Sequence, residues 1–289
     1  MKAPDFDYSK PRSLDEVFSL LAEYGDEARL LAGGQTLMAT LNMRLSEPAL
    51  LIDITGLAEL KGIAVQDGML RVGALATHTQ IESSALVAQH APLLAMAAPH
   101  IAHRAIRNLG TLGGSIAYAD PAAEWPTCAL ALDATIVCCG AEGTRRIPAA
   151  EFFLDLYTTA LRPGELVLAC DFPLAASGAR FHFDELARRH GDYAIAGLAF
   201  ASRFEQGLMQ QTRVALMGIA STPVRARRTE ALLDGRALDA GVIGEAASLL
   251  AEELDGALRP VADLTNSSAT KRHLATVLLR RALTTFIAG

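Results

Sequence analysis

Two diglycine loops constrain this chain more than any other feature of its sequence. They are AGGQT at Ala32–Thr36 and TLGGS at Thr111–Ser115, each preceded by an apolar stretch and followed by a longer one. Glycine turns with φ > 0 at no steric cost and leaves its N–H unshielded. Successive unshielded N–H groups form a concave nest suited to a pyrophosphate, above all beside a helix N-terminus. Two such loops point to one ligand held from two sides, so the fold has to bring distant parts of the chain together. Neither loop has the G-x-x-x-x-G-K-[ST] pattern, and no G-x-G-x-x-G opens a helix, so the common nucleotide signatures are missing.

The surrounding pattern predicts α+β architecture. Ser13–Tyr24 has apolar residues near helical spacing, with Ser13 as N-cap. Ala28–Leu31 reads as a strand running into Gly33 and Gly34, Gln35–Arg44 as a helix, and Ala49–Ile54 as a buried strand. Met69–Val72 is a further strand, and Thr77 with Gln80 has capping-box spacing for a helix starting near His78. A helix-rich stretch from Ala85 to Arg107 leads through Ile106-Arg107-Asn108-Leu109-Gly110 into the second loop. The polar stretch Ala119–Pro126, read as a loop, carries Asp120 and Glu124, and a carboxylate near a diphosphate commonly accepts from ribose hydroxyls. Ala134–Cys139 and Arg145–Ile147 suggest a hairpin, and Glu165–Phe172 a closing strand. Residues 173–180 read as a linker. Beyond it, Ala194–Phe204 and Thr212–Ile219 form an antiparallel pair, followed by helices over Arg225–Asp234, Ala240–Leu254 and Ser268–Ile287. The lack of a strict βαβ rhythm favours α+β over a doubly wound sheet. The expected units are 1–55, 56–174 and 181–289.

Composition excludes several classes. A net charge of −6 argues against a general nucleic-acid binder. Apolar runs such as Leu93–Ala98 fall far short of the ~20 residues a membrane span needs. The N-terminus has no apolar signal core, so a cytoplasmic location is expected. Cys128, Cys138, Cys139 and Cys170 form no C-x-x-C pair and read as free thiols, with no metal site expected. His100 and His103 lack a third ligand. His78 reads as a surface residue at a helix start, Arg225, Arg227 and Arg228 as a solvated cluster, and Asp133 and Asp155 as isolated carboxylates.

LLAGGQTLM together with IRNLGTLGGSIAYADPAAEWP closely resembles the FAD-binding medium subunit of the molybdenum hydroxylases. FDYSKPRSLDEV, THTQIESS, PGELVLACDFP and ARRHGDYAIAG extend the resemblance over nearly the whole chain. It implies a two-part FAD-binding region of the vanillyl-alcohol-oxidase/PCMH type, then a C-terminal α+β domain with a small antiparallel sheet and helices. It also implies that Ala32, Gly33, Gly34, Gln35 and Thr36 wrap the FAD pyrophosphate from one side. Thr111, Leu112, Gly113, Gly114 and Ser115 would do so from the other, with Arg107 leading into that loop. Ser115 stands where many relatives have Asn, and Glu124 where several have Asp. Ile101 would pack near the adenine, and Asp192 and Tyr193 would approach the isoalloxazine ring. Asp184 and Glu185 occupy a stretch where some relatives carry a lysine, so the resemblance implies no cationic contact from it.

The resemblance further implies an electron-transfer subunit with no catalytic side chain of its own. Molybdopterin would lie on a large partner subunit and two 2Fe–2S clusters on a small one, in a dimer of heterotrimers. The scattered cysteines differ from the four-cysteine insertion of hydroxybenzoyl-CoA reductases. An independent flavin oxidoreductase and a flavin-free scaffold remain the alternatives.

Overall fold

Ser13 opens the first helix by accepting a hydrogen bond from the Glu16 N–H at 3.3 Å. The structure, a computed structural model, describes residues 2–287. Its first part comprises β1 (Asp7–Ser9), α1 (Leu14–Tyr24), β2 (Ala28–Leu31), α2 (Leu37–Asn42) and β3 (Leu50–Asp53). The three strands are parallel, in the order β1-β3-β2. The central strand β3 is buried along its length, which accounts for its unbroken apolar run. Strand β1 gives little signal in the sequence because it is short and exposed. Asp53 fixes it by accepting from the Tyr8 hydroxyl at 2.5 Å and from Lys10 Nζ at 3.0 Å.

The second part begins with β4 (Ile63–Gln66), β5 (Met69–Gly73), α3 (His78–Ser83), α4 (Ala85–His90), α5 (Pro92–Ala97) and α6 (Arg104–Arg107). It continues through α7 (Leu112–Tyr118), α8 (Glu124–Ala131), β6 (Thr135–Gly140) and β7 (Gly143–Pro148). Then come α9 (Ala149–Phe152), the small hairpin β8 (Phe153–Asp155) and β9 (Thr158–Thr159), and β10 (Leu166–Pro173). An antiparallel sheet runs β4-β5-β10-β6-β7. Across it Arg71 grips Asp171 with a forked pair of bonds at 2.6 and 2.7 Å. The predicted capping box is present: Thr77 Oγ1 accepts from Gln80 N at 3.2 Å, and Gln80 Oε1 accepts from Thr77 N at 2.9 Å. Two segments differ from the sequence reading. Leu112–Tyr118 is a helix, so the second diglycine forms its first turn rather than a loop. Glu124–Ala131 is a second helix that begins within the stretch read as polar loop and runs past its end, and it buries Trp125 through Ala131.

The third part contains β11 (Ala179–Leu186), β12 (Ala196–Glu205), β13 (Leu208–Met217), β14 (Val224–Arg225), α10 (Arg227–Leu233), α11 (Ala240–Asp255) and α12 (Ser268–Ile287). The strands pair antiparallel in that order. The linker is therefore only 174–178, because Ala179 and Arg180 already belong to β11. Its alternation of Phe181 and Phe183 with His182 and Asp184 is the period-two pattern of a strand with one face covered, although the stretch was not assigned as one from the sequence. Arg225 is not solvated as predicted. It is buried, forked onto Glu230 at 2.5 and 2.7 Å, and donates to Asp133 at 2.9 Å. Asp133 thereby ties the second part to the third, together with Arg213 at 2.7 Å. Helix α8 packs against β12 and β13 at the same junction.

Candidate functional site

The first diglycine sits where β2 ends and α2 begins. Gly34 takes φ = 70°, a turn that a side chain would strain. Gly33 is needed for a different reason: a Cβ there would lie 2.1 Å from the Leu109 carbonyl oxygen and 2.8 Å from Cα of Gly110. The first loop is thus seated directly on the segment that enters the second. Among the described residues, the N–H groups of Gly33, Gly34, Gln35 and Thr36 have no protein acceptor. Four consecutive unpaired donors on partly open backbone are the strongest anion-binding feature of the molecule.

The second loop is built otherwise. Leu112 N donates to Ala76 O at 3.0 Å, Gly113 N to Ala74 O at 2.8 Å, and Ser115 N to Thr111 O at 3.1 Å. Gly114 N is held by Thr111 Oγ1 at 3.2 Å, a longer bond that one side-chain rotation exchanges. Gly113 is a packing glycine, since a Cβ would meet that of Ala74 at 2.4 Å. Gly114 is exposed and would meet only Thr111 Oγ1, at 3.0 Å. The second loop therefore offers an open, side-chain-free surface more than a nest.

Behind the loops, His78 supports Gly110. Its backbone N–H donates to Gly110 O at 3.0 Å, and a Cβ on Gly110 would lie 2.6 Å from its Nε2. The ring is buried, and its Nδ1 accepts from Trp125 Nε1 at 2.9 Å, which assigns the ring proton to Nε2. Burial first, and the Arg107 charge second, push the His78 pKa down to about 4, so it is neutral. His78 is accordingly a buried scaffold residue rather than the surface group read from the sequence.

Residues 4–175 match the family described as the FAD binding domain in molybdopterin dehydrogenase, and residues 181–286 match the CO dehydrogenase flavoprotein C-terminal domain. This chain belongs to the FAD-binding medium subunits of the molybdenum hydroxylases. It is 38% identical to the 6-hydroxypseudooxynicotine dehydrogenase complex subunit alpha of Paenarthrobacter nicotinovorans, over 98% of this chain and 95% of that one. It is 35% identical to the caffeine dehydrogenase subunit beta of Pseudomonas sp. strain CBB1, with the same coverage. Its fold matches a solved Hydrogenophaga pseudoflava carbon monoxide dehydrogenase that lacks the Mo-pyranopterin moiety. The TM-score is 0.95 at 35% identity, covering 100% of this chain and 99% of that one.

The flavoprotein subunit binds FAD, and the donor-rich first loop and open Gly114 fit a dinucleotide. Other residues singled out in the sequence have different surroundings. Arg107 is buried and directs its guanidinium to Glu82 and to the carbonyls of Pro99, Ile101 and Ala102, at 3.1 to 3.3 Å. It holds the turn in which Ala102 takes φ = 42°. Ile101 belongs to the core of the second part. Asp192 shapes its own turn, with Oδ1 accepting from Tyr193 N at 3.0 Å and Oδ2 facing Arg188 at 3.2 Å. Tyr193 projects outward from that turn, 70% exposed.

Glu124 is the first residue of α8, and burial, with Asp120 adding to it, raises its pKa to about 7. Glu185 on β11 is raised to about 8 by burial, then by Glu124 and Asp184. The Glu185 side chain is 7% exposed and its Oε2 has no partner. His100 Nδ1 lies 3.9 Å from Glu185, but burial lowers the imidazole pKa, so near neutral pH these two are not an ion pair. The sequence signals neither this pair of carboxyls nor a group of tyrosines nearby. Tyr118 and Tyr157 have ring centroids 5.0 Å apart. Burial, then Asp120, Tyr118 and Tyr193, push Tyr157 up to about 12. No run of aromatic residues announces that group, because its members come from α7, the β8–β9 turn and the approach to β12.

Proposed function

We propose that this subunit is the electron outlet of a heteromeric molybdenum hydroxylase. It would hold one FAD between its two glycine segments and stand between an iron–sulfur subunit and an external acceptor. The observation that carries this reading is the run of unpaired N–H groups at Gly33–Thr36, seated against Leu109 and Gly110. Gly33, Gly34, Gln35 and Thr36 present those donors to the pyrophosphate, with the Thr36 hydroxyl beside them. Ala32 follows directly on the strand that aims them. Thr111, Leu112 and Gly113 fix the floor opposite, and Gly114 and Ser115 leave it open to phosphate. Glu124, kept close to half-protonated near neutral pH, serves as donor or acceptor toward a hydroxyl of the cofactor. Asp192 positions Tyr193, whose ring covers apolar cofactor surface and excludes water. Bound FAD supplies the exchange of electrons between one-electron carriers and a two-electron acceptor. This reading assigns no side chain here as nucleophile or general base and leaves substrate chemistry to a separate molybdopterin subunit.

The partners in this reading are a large molybdopterin chain and a small 2Fe–2S chain, assembled as a dimer of heterotrimers in the cytoplasm. Three relatives with this fold carry subunit or medium-chain names, which supports such an assembly. Among the described residues no helix is long and apolar enough to cross a membrane. Expression with the neighbouring large- and small-chain genes tests the reading. Co-purification in equal amounts, with one FAD per copy of this chain, is the expected result. Full turnover of substrate by the isolated chain would refute it.

A further inference from the structure

Strand β11 runs along the seam between the second and third parts and shows a different face to each. Phe181, Phe183 and Glu185 point to the second part, where Phe183 belongs to the core and Phe181 packs against it. His182 and Asp184 point to α12, with the His182 ring 6.3 Å from that of Phe286 and Asp184 3.4 Å from Arg281. Among the described residues, three buried side-chain atoms have no hydrogen-bond partner: His182 Nε2, Glu185 Oε2 and Asp192 Oδ2. All three lie on this strand or on the turn that follows it. Native folds pair nearly all such atoms, so a cluster of exceptions calls for a specific cause.

Asp192 Oδ2 at least faces the Arg188 guanidinium, at 3.2 Å. Glu185, on a side chain 7% exposed, has His100 across the seam, with Nδ1 at 3.9 Å from Oε1. His100 closes the turn at 98–100 after α5, and α5 packs against β11. Its ring also meets Phe183 edge-on, with centroids 5.1 Å apart. The next turn of the third part leans on the same place: a Cβ on Gly191 would lie 2.7 Å from His103 Cε1 and 3.0 Å from the Ala102 carbonyl oxygen. Elsewhere on the seam Asp133 is gripped by Arg213 and Arg225. The seam is therefore clamped by ions at Asp133, and at His100 it carries a carboxyl and an imidazole with no hydrogen bond between them.

We propose that Glu185 and His100 form a proton-dependent latch between the cofactor-binding region and the C-terminal domain. With one proton between them, Glu185 donates to His100 Nδ1 once the carboxyl turns to close a gap about 1 Å too long for a hydrogen bond. Without that proton a buried carboxylate stands unpaired, and the seam opens at this point. Burial, then Glu124 and Asp184, raise the Glu185 pKa to about 8, and burial lowers that of His100, so near neutral pH the pair holds one proton. Asp184 on the same strand and Glu124 on α8 oppose ionisation of Glu185, while His190 and His182 oppose protonation of His100. Helix α8 adds only the Cys128 thiol, which burial keeps neutral. Helix α5 has no titratable residue, β12 sets Gly197 opposite Glu185, and Arg281 of α12 is directed to Asp184. The latch holds below about pH 8 and releases above it.

Hydrogen exchange of the full chain, followed by mass spectrometry at pH 7 and pH 9 and corrected for the intrinsic effect of pH, tests the latch. Segments 98–103 and 181–186 should open about tenfold more at the higher pH, the change expected when one group with a pKa of about 8 gives up its proton. Segments 166–173 and 240–255, away from the contact, are the references and should stay as they were. Glu185→Gln keeps a donor and cannot ionise, so its opening should be the same at both pH values. His100→Phe keeps the ring packing and removes the acceptor, so it should be as open at pH 7 as the parent is at pH 9. A parent without the rise, a tenfold rise retained in Glu185→Gln, full protection in His100→Phe, or an equal rise in the reference segments would each overturn the latch. These readouts use the apo chain, so their failure leaves the FAD reading standing.

Discussion

Replacing Gly33 by alanine puts a Cβ 2.1 Å from the Leu109 carbonyl oxygen and 2.8 Å from Cα of Gly110. Both obstacles are backbone, and Gly110 is backed by the His78 ring, so neither can turn aside. Restoring van der Waals distance requires the two loops to part by more than about 1 Å. Overfilling typically costs about 1–3 kcal/mol, and rigid backbone on the receiving side places this case near the upper end. The same movement carries the Gly33–Thr36 donors away from the second segment. Losing one hydrogen bond to the charged pyrophosphate, worth about 1.5–3 kcal/mol, raises the FAD dissociation constant about ten- to a hundredfold. Gly114→Ala is the matched control. Its Cβ meets only Thr111 Oγ1, and alanine within a helix is favoured over glycine by up to about 1 kcal/mol. That variant should melt at or above the parent's urea midpoint yet bind FAD more weakly, because its methyl stands on the open face. Urea melts followed by circular dichroism, and FAD titration of the apo chain, measure the two effects separately. A Gly33→Ala protein with parental midpoint and parental FAD affinity would refute the reasoning.

Glu124 and Glu185 titrate above the ordinary carboxyl range in the fold, so the folded state retains protons that the unfolded chain releases. Their stabilisation is complete below about pH 4.5 and is lost as pH rises through about 7 and 8, with a ceiling of about 1.4 kcal/mol per pH unit for each group. Urea midpoints between pH 5 and 8 should therefore fall more steeply for the parent than for Glu185→Gln, and parallel slopes would contradict this. Trp125→Phe removes the donor to His78 Nδ1 and leaves a buried acceptor unpaired, which should cost about 1–3 kcal/mol. Thermal melts check that cost, and an unchanged midpoint would rule out the support assigned to His78. Arg225→Ala strands the buried Glu230 carboxylate and should cost about 3–5 kcal/mol, whereas Arg203→Ala, which breaks an exposed pair with Glu205, should cost under about 1. Equal losses in those two variants would show that burial does not set the value of these pairs.

The elements legible in the sequence are those whose local chemistry agrees with their tertiary role. Ser13 and Thr77 cap helices by the expected bonds, and the apolar run of β3 marks a strand covered on both faces. The two glycine segments were legible as partners, but not as unequal partners. Nothing local shows that the Leu112 and Gly113 N–H groups are already engaged by Ala76 and Ala74, since those acceptors come from another stretch of chain. Helix α8 was obscured because its first residue, Glu124, lies against other protein segments instead of water, so a stretch that reads as polar loop opens a buried helix. Arg107 and Arg225 illustrate the same limit. Each reads as an available cation, and each is committed to buried carbonyls or carboxylates that only the assembled fold supplies. The pairing of Tyr118 with Tyr157 joins α7 to the β8–β9 turn and carries no sequence pattern.

The central claim is that this subunit grips a pyrophosphate, and comparing FAD with FMN tests it most directly. The two cofactors share the same ring and ribityl chain, but FMN carries a single terminal phosphate and no adenosine. Calorimetric titration of the apo chain with each gives both affinities under one set of conditions. The account predicts one FAD per chain, with FMN weaker by at least about a hundredfold, the equivalent of two modest charge-assisted hydrogen bonds lost. Equal affinity for FMN and FAD would contradict it, because a site that ignores the second phosphate is not built on the Gly33–Thr36 donors.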